Sequence, residues 1–156
     1  MKRRIGISGE AAMVRFGESI ANRIPAGSVI FLHGDLGAGK TTLVRGLISG
    51  LGCTVPVTSP TYTIVESYVF NEFIIYHFDL YRLSEPDELE SIGVRDMIGG
   101  VAISIFEWPE RGRGVLPIAD FDIIINFSDD GRTIEVPEPL FDEDFLDRER
   151  GVCLET

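Results

Sequence analysis

The chain has 156 residues, of which 44% are hydrophobic and 25% are charged, a composition typical of a single globular domain with a buried core. Its formal net charge of −11 disfavours the nucleic-acid backbone as a direct partner. There is no secretory-signal pattern, no apolar run of the ~20 residues that a membrane span needs, and no metal-site spacing of Cys53 and Cys153, so we expect a cytoplasmic protein with reduced thiols.

The first half of the chain is predicted to form a helix, a strand and a second helix. Apolar residues recur at helical spacing over Met13–Ile24, with Ser8 as the expected N-cap. Val29–His33 is a short apolar run that stops at a glycine, which predicts a buried strand. The pattern over Lys40–Leu51 predicts a helix that ends at flanking glycines.

The second half is predicted to form two hairpins, a short helix and one more buried strand. The strand patterns cover Tyr62–Phe70, Phe73–Phe78, Val101–Phe106, Phe121–Phe127 and Thr133–Val136. Ser84 and Asp87 predict a capping box for a short helix that ends at Gly93. Because helices alternate with buried strands first and hairpins follow, we predict a three-layer α/β fold with a mixed, partly antiparallel central sheet.

The end of the chain differs from the rest in charge. Residues 138–156 carry seven acidic residues and two arginines. We predict one domain over residues 1–137 and an acidic C-terminal tail over residues 138–156. The tail is interpreted as a solvated helix or a disordered end, with a docking surface for a basic partner as the alternative.

A phosphate-binding motif lies between the first predicted strand and the helix after it. Gly34–Thr41 reads GDLGAGKT and matches the P-loop pattern in full. Glycines let such a loop turn its amides inward around an anion, and the helix that follows adds free N–H groups and a positive dipole end. We therefore predict a P-loop NTPase domain.

Each residue of this motif has an expected contact. Lys40 is expected at the β- and γ-phosphates, the Thr41 hydroxyl on Mg²⁺, and Thr42 at the α-phosphate. The predicted nucleotide-binding residues are Gly37, Ala38, Gly39, Lys40, Thr41 and Thr42.

Polar residues at strand ends are candidates for the rest of the site. A P-loop enzyme needs an acid to hold magnesium or its water, and two predicted strands end in one, Asp79 and Glu107. Spacing alone does not choose between them. Thr61, after Pro60, either senses the γ-phosphate or water, or belongs to a turn that begins a strand. His77, within an apolar strand, is interpreted as a structural histidine.

The residue types that the sequence lacks limit which base the nucleotide can carry and which hydrolysis mechanisms are possible. Lys2 and Lys40 are the only lysines, so the Asn-Lys-x-Asp motif for guanine is impossible, which favours adenine. The chain has no glutamine, which removes the water-orienting residue of Ras-like switches and the Q-loop of transporter ATPases. We interpret Arg111 and Arg113 as surface arginines in preference to parts of a kinase lid or an arginine finger.

Four segments together are more specific than a P-loop alone. They are Gly34–Thr42, Ser59–Thr63, Asp79–Leu83 and Glu107–Trp108. In this order and spacing they resemble the TsaE family, formerly YjeE, the bacterial ATPases of tRNA threonylcarbamoyladenosine biosynthesis. The resemblance runs from about Met13 to Val136.

The resemblance implies a compact α/β P-loop fold and a weak ATPase, dependent on ATP and Mg²⁺, that acts with the partners TsaB and TsaD. TsaD transfers the threonylcarbamoyl group to adenosine-37 of tRNAs that read codons beginning with A, and the family member is expected to reset the complex by hydrolysis. Contact with tRNA would be indirect, through that complex.

By position, the resemblance makes Thr41 and Glu107 the magnesium-linked pair, and it makes Asp79, Thr61 and Trp108 residues needed for activity or partner engagement. The family contacts adenine near its N-terminus, where this chain reads SGEA over residues 8–11 and lacks the expected threonine. Two alternatives remain at this point, a P-loop small-molecule kinase and a nucleotide-binding scaffold whose hydrolysis is incidental.

Overall fold

The structure is a computed structural model that describes residues 1–53, 55–57, 60 and 63–154. Its strands are β1 (Lys2–Ile7), β2 (Val29–His33), β3 (Val65–Val69), β4 (Ile74–Asp79), β5 (Ala102–Glu107), β6 (Phe121–Ser128) and β7 (Gly131–Pro137). Its α-helices are α1 (Glu10–Ala21), α2 (Lys40–Gly50), α3 (Asp87–Ser91) and α4 (Asp144–Leu154). Short 3-10 turns cover Val94–Met97, Pro109–Gly112 and Glu138–Leu140. Among the described residues, no helix is long and apolar enough to cross a membrane.

The described strands form one mixed sheet in the order β1-β7-β6-β2-β5-β4-β3. The four central strands, β6, β2, β5 and β4, run parallel. β3 pairs antiparallel with β4, and β7 and β1 extend the other side antiparallel. The carboxyl ends of β2, β4 and β5 therefore meet at one edge, which is where open α/β sheets bind their ligands.

Two apolar layers cover the two faces of the sheet. On one face α1 and α2 contribute Phe16 and Leu43 to one cluster. On the other face α3 and the 3-10 turn after it contribute Leu89 and Val94 to a second cluster. All six residues of β5 are buried, because its side chains alternate between the two clusters. This double burial explains why the sequence of β5 is apolar apart from Ser104 and the terminal Glu107.

Helices α1 and α2 cross at glycines. A Cβ on Gly17 would lie 2.6 Å from the carbonyl oxygen of Leu43 and 2.9 Å from Cα of Gly46. We therefore expect Gly17→Ala to lower the free energy of unfolding by about 1–3 kcal/mol, measured by urea denaturation. Gly6→Ala is the control, since a Cβ on Gly6 in β1 meets nothing within 4 Å. An equal loss in both variants would contradict the steric explanation.

Several local predictions differ from the structure. The N-cap of α1 is Gly9 and not Ser8, and the carbonyl of Gly9 accepts the first helical bond from Met13 N–H at 3.2 Å. The capping box predicted for Ser84 and Asp87 is wrong, because α3 begins at Asp87 with Pro86 as its N-cap. It is Glu88 Oε1 that accepts from the Ser84 N–H, at 3.3 Å. The sequence pattern looks for a capping side chain, and both helices begin after a residue that has none, Gly9 and Pro86.

Strand β1 was not predicted. Its pairing with β7 joins Lys2 to Pro137, 135 positions further along the chain. Only its last residues show alternation, with Ile5 and Ile7 buried on either side of an exposed glycine. A local pattern that short could not reveal a strand whose hydrogen bonds come from so distant a partner.

The start of the predicted acidic tail packs on α1. Phe145 is buried, with its ring centroid 5.3 Å from that of Phe16, and Phe141 is also buried in the same cluster. Arg15 of α1 forms an ion pair with Glu149 of α4 at 2.7 Å. The domain boundary at residue 137 stays a prediction.

Candidate functional site

The P-loop links β2 to α2 at the edge where the parallel strands end. Gly37 and Gly39 have φ of 81° and 110°, in the left-handed region that favours glycine. Gly39 is the N-cap of α2, and its carbonyl accepts from the Leu43 N–H at 2.9 Å. The amides of the first turn, ahead of Leu43, therefore lie at a helix N-terminus that no side chain of the described residues caps, which suits an anion.

Lys40 lies in this loop with its side chain largely buried, since the residue is 5% exposed. Its ammonium donates to the carbonyl of Gly34 and, at 3.4 Å, to that of Asp35. The Trp108 ring lies over the ammonium, with Nζ 3.7 Å from the ring centroid. Burial lowers the pKa of Lys40, while nearby carboxylates, led by Glu107, act in the opposite direction.

The last residue of β5 brings its carboxylate to the start of α2. The Thr41 hydroxyl lies 3.1 Å from Glu107 Oε2 and 3.3 Å from Oε1. Glu107 is 3% exposed, and its Oε2 is 2.5 Å from His77 Nε2. A hydroxyl and a buried carboxylate side by side are the hard oxygen donors that Mg²⁺ prefers.

Asp79 lies one strand away from this pair. It ends β4 and is the register partner of Glu107 in the parallel β4–β5 pair. Its Oδ1 accepts a hydrogen bond from the Tyr81 N–H at 3.1 Å. Both acids line the same cavity, of about 260 Å³, together with Lys40 and Thr41, but the Thr41 contact belongs to Glu107.

A second cavity, of about 320 Å³, lies on the other side of the loop. It is bounded by the start of α1, by Thr42 and by Arg132 of β7. The Arg132 guanidinium donates to the carbonyls of Ala38 at 3.0 Å and Gly37 at 3.3 Å. The hairpin β6–β7 therefore contacts the P-loop through Arg132 and forms one wall of this second cavity.

Comparison with known proteins identifies the family. The model of the family described as "Threonylcarbamoyl adenosine biosynthesis protein TsaE" matches residues 7–134. The chain belongs to the TsaE family. A protein of Haemophilus influenzae named tRNA threonylcarbamoyladenosine biosynthesis protein TsaE is 47% identical over 135 residues, which are 83% of this chain and 85% of the relative. A Bacillus subtilis protein of the same name is 40% identical over 109 residues, 69% of this chain and 68% of the relative.

A solved structure agrees with the TsaE assignment. The crystal structure of YdiB from Bacillus subtilis matches with a TM-score of 0.71 at 28% identity, covering 99% of this chain and 92% of that chain. The predicted family is confirmed, and so is the predicted P-loop NTPase fold with a mixed sheet.

In this TsaE chain, most of the predicted site residues line one cavity. They are Gly37, Ala38, Gly39, Lys40, Thr41, Thr42, Asp79, Glu107 and Trp108. Thr61 lies outside the described residues. Arg111 stacks near Tyr81, with its guanidinium carbon 5.5 Å from the ring centroid. Within the described ranges there is no group of three or more His, Cys, Asp or Glu that could hold a metal ion.

Sequence reasoning missed two contacts in the TsaE site. Arg132 is 94 positions from Ala38 and carries no motif, so only the folded hairpin reveals its role behind the loop. His77 was interpreted as a structural histidine, and its hydrogen bond to Glu107 was not foreseen. Its place two residues before Asp79 on an apolar strand was the available signal.

Proposed function

We propose that this TsaE-family protein binds ATP with Mg²⁺ at its P-loop and hydrolyses it in tRNA threonylcarbamoyladenosine biosynthesis. The observation that carries the proposal is the contact between the Thr41 hydroxyl and the buried Glu107 carboxylate, next to Lys40. The curated relatives are named for that biosynthesis. Since modification takes place where tRNA is, we place the protein in the cytoplasm.

The residues fit a magnesium nucleotide. The loop amides and the Lys40 ammonium supply positive partners for phosphate oxygens, and Thr41 and Glu107 would hold the cation directly or through its water. Magnesium, when bound, neutralises charge on the β- and γ-phosphates. An anion would also favour the ammonium form of Lys40, whose pKa burial lowers.

The chain's own residues would prepare the attack of water. Asp79, at the end of the neighbouring strand, lines the same cavity, where its carboxylate would help to orient the water. Thr61 would assist by reporting the γ-phosphate. Because phosphoryl transfer depends on positioning and charge neutralisation, a site without a glutamine to orient water should be slow alone. We propose that TsaB and TsaD complete it, and that tRNA is met only through that complex.

ATPase activity with and without purified TsaB and TsaD tests the proposal. We expect slow, magnesium-dependent phosphate release from the isolated protein and faster release with both partners. Absence of hydrolysis in the presence of magnesium and both partners would contradict it. If labelled ATP left its label on a small-molecule acceptor, the kinase alternative would replace it.

A further inference from the structure

A buried histidine contacts the proposed magnesium acid. His77 lies on β4, its residue exposure is 0%, and its Nε2 is 2.5 Å from Glu107 Oε2. In the β4–β5 register His77 pairs with Ile105, two residues before Glu107, so the imidazole and the carboxylate lie on the same face of the sheet.

The direction of this hydrogen bond follows from the two groups. An ionised carboxylate only accepts, so Nε2 carries the proton and donates it to Oε2. The Thr41 hydroxyl contacts the same carboxylate, 3.1 Å from Oε2, the oxygen that His77 contacts, and 3.3 Å from Oε1. The carboxylate is therefore contacted both by an imidazole on a strand and by a hydroxyl on a helix.

The surroundings of the other ring nitrogen indicate that packing alone does not explain why a histidine occupies this position. His77 Nδ1 is buried and has no hydrogen-bond partner among the residues that the structure describes. An unpartnered buried polar atom costs stability, and an apolar side chain of similar size would avoid that cost. Its strand neighbour Ile75 fills such a position in the core. What the imidazole adds is the bond to Glu107.

We propose that His77 is a positioning residue that orients the Glu107 carboxylate and thereby sets the affinity for magnesium. The inference rests on the proposed function, because it assigns the metal role to Thr41 and Glu107. Hydrogen bonds from neighbouring residues fix the orientation of a side chain that binds a metal. Their loss typically lowers metal affinity or activity by about 10–100-fold.

Two amide variants of His77 separate the effect of its hydrogen bond to Glu107 from the effect of side-chain size. The amide nitrogen of His77→Gln reaches roughly where Nε2 lies, whereas that of His77→Asn is too short to meet Glu107. The measured quantity is the dissociation constant of ADP in EDTA divided by that in magnesium. ADP binding is detected by the fluorescence of Trp108, the only tryptophan. We expect His77→Asn to lower this ratio by about tenfold, and His77→Gln to keep it near wild type.

His33→Asn is the matched control. His33 is the only other histidine, and its Nε2 bonds a different carboxylate, Asp122 Oδ1, at 2.8 Å. Its magnesium ratio should equal that of the wild type. Where His77→Asn does not fold, His77→Leu carries the same expectation, since its apolar side chain suits the buried position.

The outcomes distinguish this inference from the proposed function. A wild-type ratio in folded His77→Asn or His77→Leu would overturn the positioning role, even if thermal stability changed. An equal loss in the Gln and Asn variants would also overturn it, because reach would then not matter. If the wild type itself bound ADP equally well with and without magnesium, the proposed function would fail first.

Discussion

Replacing Lys40 with alanine is expected to weaken ATP binding by about 100-fold or more. The ammonium is the one charged donor of the P-loop, and hydrogen bonds to charged groups contribute about 1.5–3 kcal/mol each, which corresponds to about 10–100-fold in Kd for a single bond. Two phosphate contacts would be lost with the side chain. Calorimetry with ATP and magnesium measures the effect directly.

Lys2→Ala is the control for Lys40→Ala, because Lys2 is the only other lysine and lies exposed on the edge strand β1. Its affinity for ATP should match that of the wild type. Binding of wild-type strength by folded Lys40→Ala would contradict the P-loop assignment.

The same lysine predicts a pH dependence of stability. Burial lowers the folded-state pKa of Lys40 below its ordinary value, so between the two pKa values the unfolded chain binds more protons than the folded one. The Lys40 contribution to stability therefore rises with pH through that window and is least favourable at lower pH. Lys40→Met should flatten this part of the stability curve, measured by urea denaturation at a series of alkaline pH values.

The P-loop could be predicted because its information is contiguous. Eight successive residues, Gly34–Thr41, hold the glycines, the lysine and the hydroxyl, and the flanking patterns supply the strand and helix. The central strands were also predictable, because burial on both faces leaves a mostly apolar run such as the one in β5, which only Ser104 interrupts before Glu107. In each case the physical cause and the sequence signal cover the same stretch of chain.

The rest of the site depends on contacts between distant segments. The choice between Asp79 and Glu107 depends on which strand lies beside β2, and parallel pairing puts β5, which ends in Glu107, next to it. The same is true of Arg132, which reaches the P-loop only because the hairpin β6–β7 folds against it. Sequence spacing does not encode strand order, so these neighbours had to be observed.

Replacing Glu107 with glutamine is expected to reduce magnesium-dependent hydrolysis by about 100-fold or more, because the metal's contribution to charge stabilisation amounts to several kcal/mol. The amide keeps the size of the side chain and an oxygen for the His77 N–H, so the variant should fold. It removes the negative charge beside the Thr41 hydroxyl. Phosphate release as a function of magnesium concentration, at saturating ATP, is the measurement.

Asp79→Asn is the matched variant, since Asp79 ends the adjacent strand in register with Glu107 but does not share the Thr41 contact through which Glu107 would reach the metal. We expect it to slow hydrolysis while preserving the magnesium dependence of nucleotide affinity. If Glu107→Gln kept the wild-type magnesium dependence and Asp79→Asn lost it, the metal role would pass to Asp79.

Glu107→Gln also tests the scaffold alternative, because a variant that binds ATP without cleaving it separates the effect of nucleotide binding from that of hydrolysis. With TsaB and TsaD present, it should not support repeated tRNA modification. Repeated modification without hydrolysis would show that nucleotide binding alone suffices.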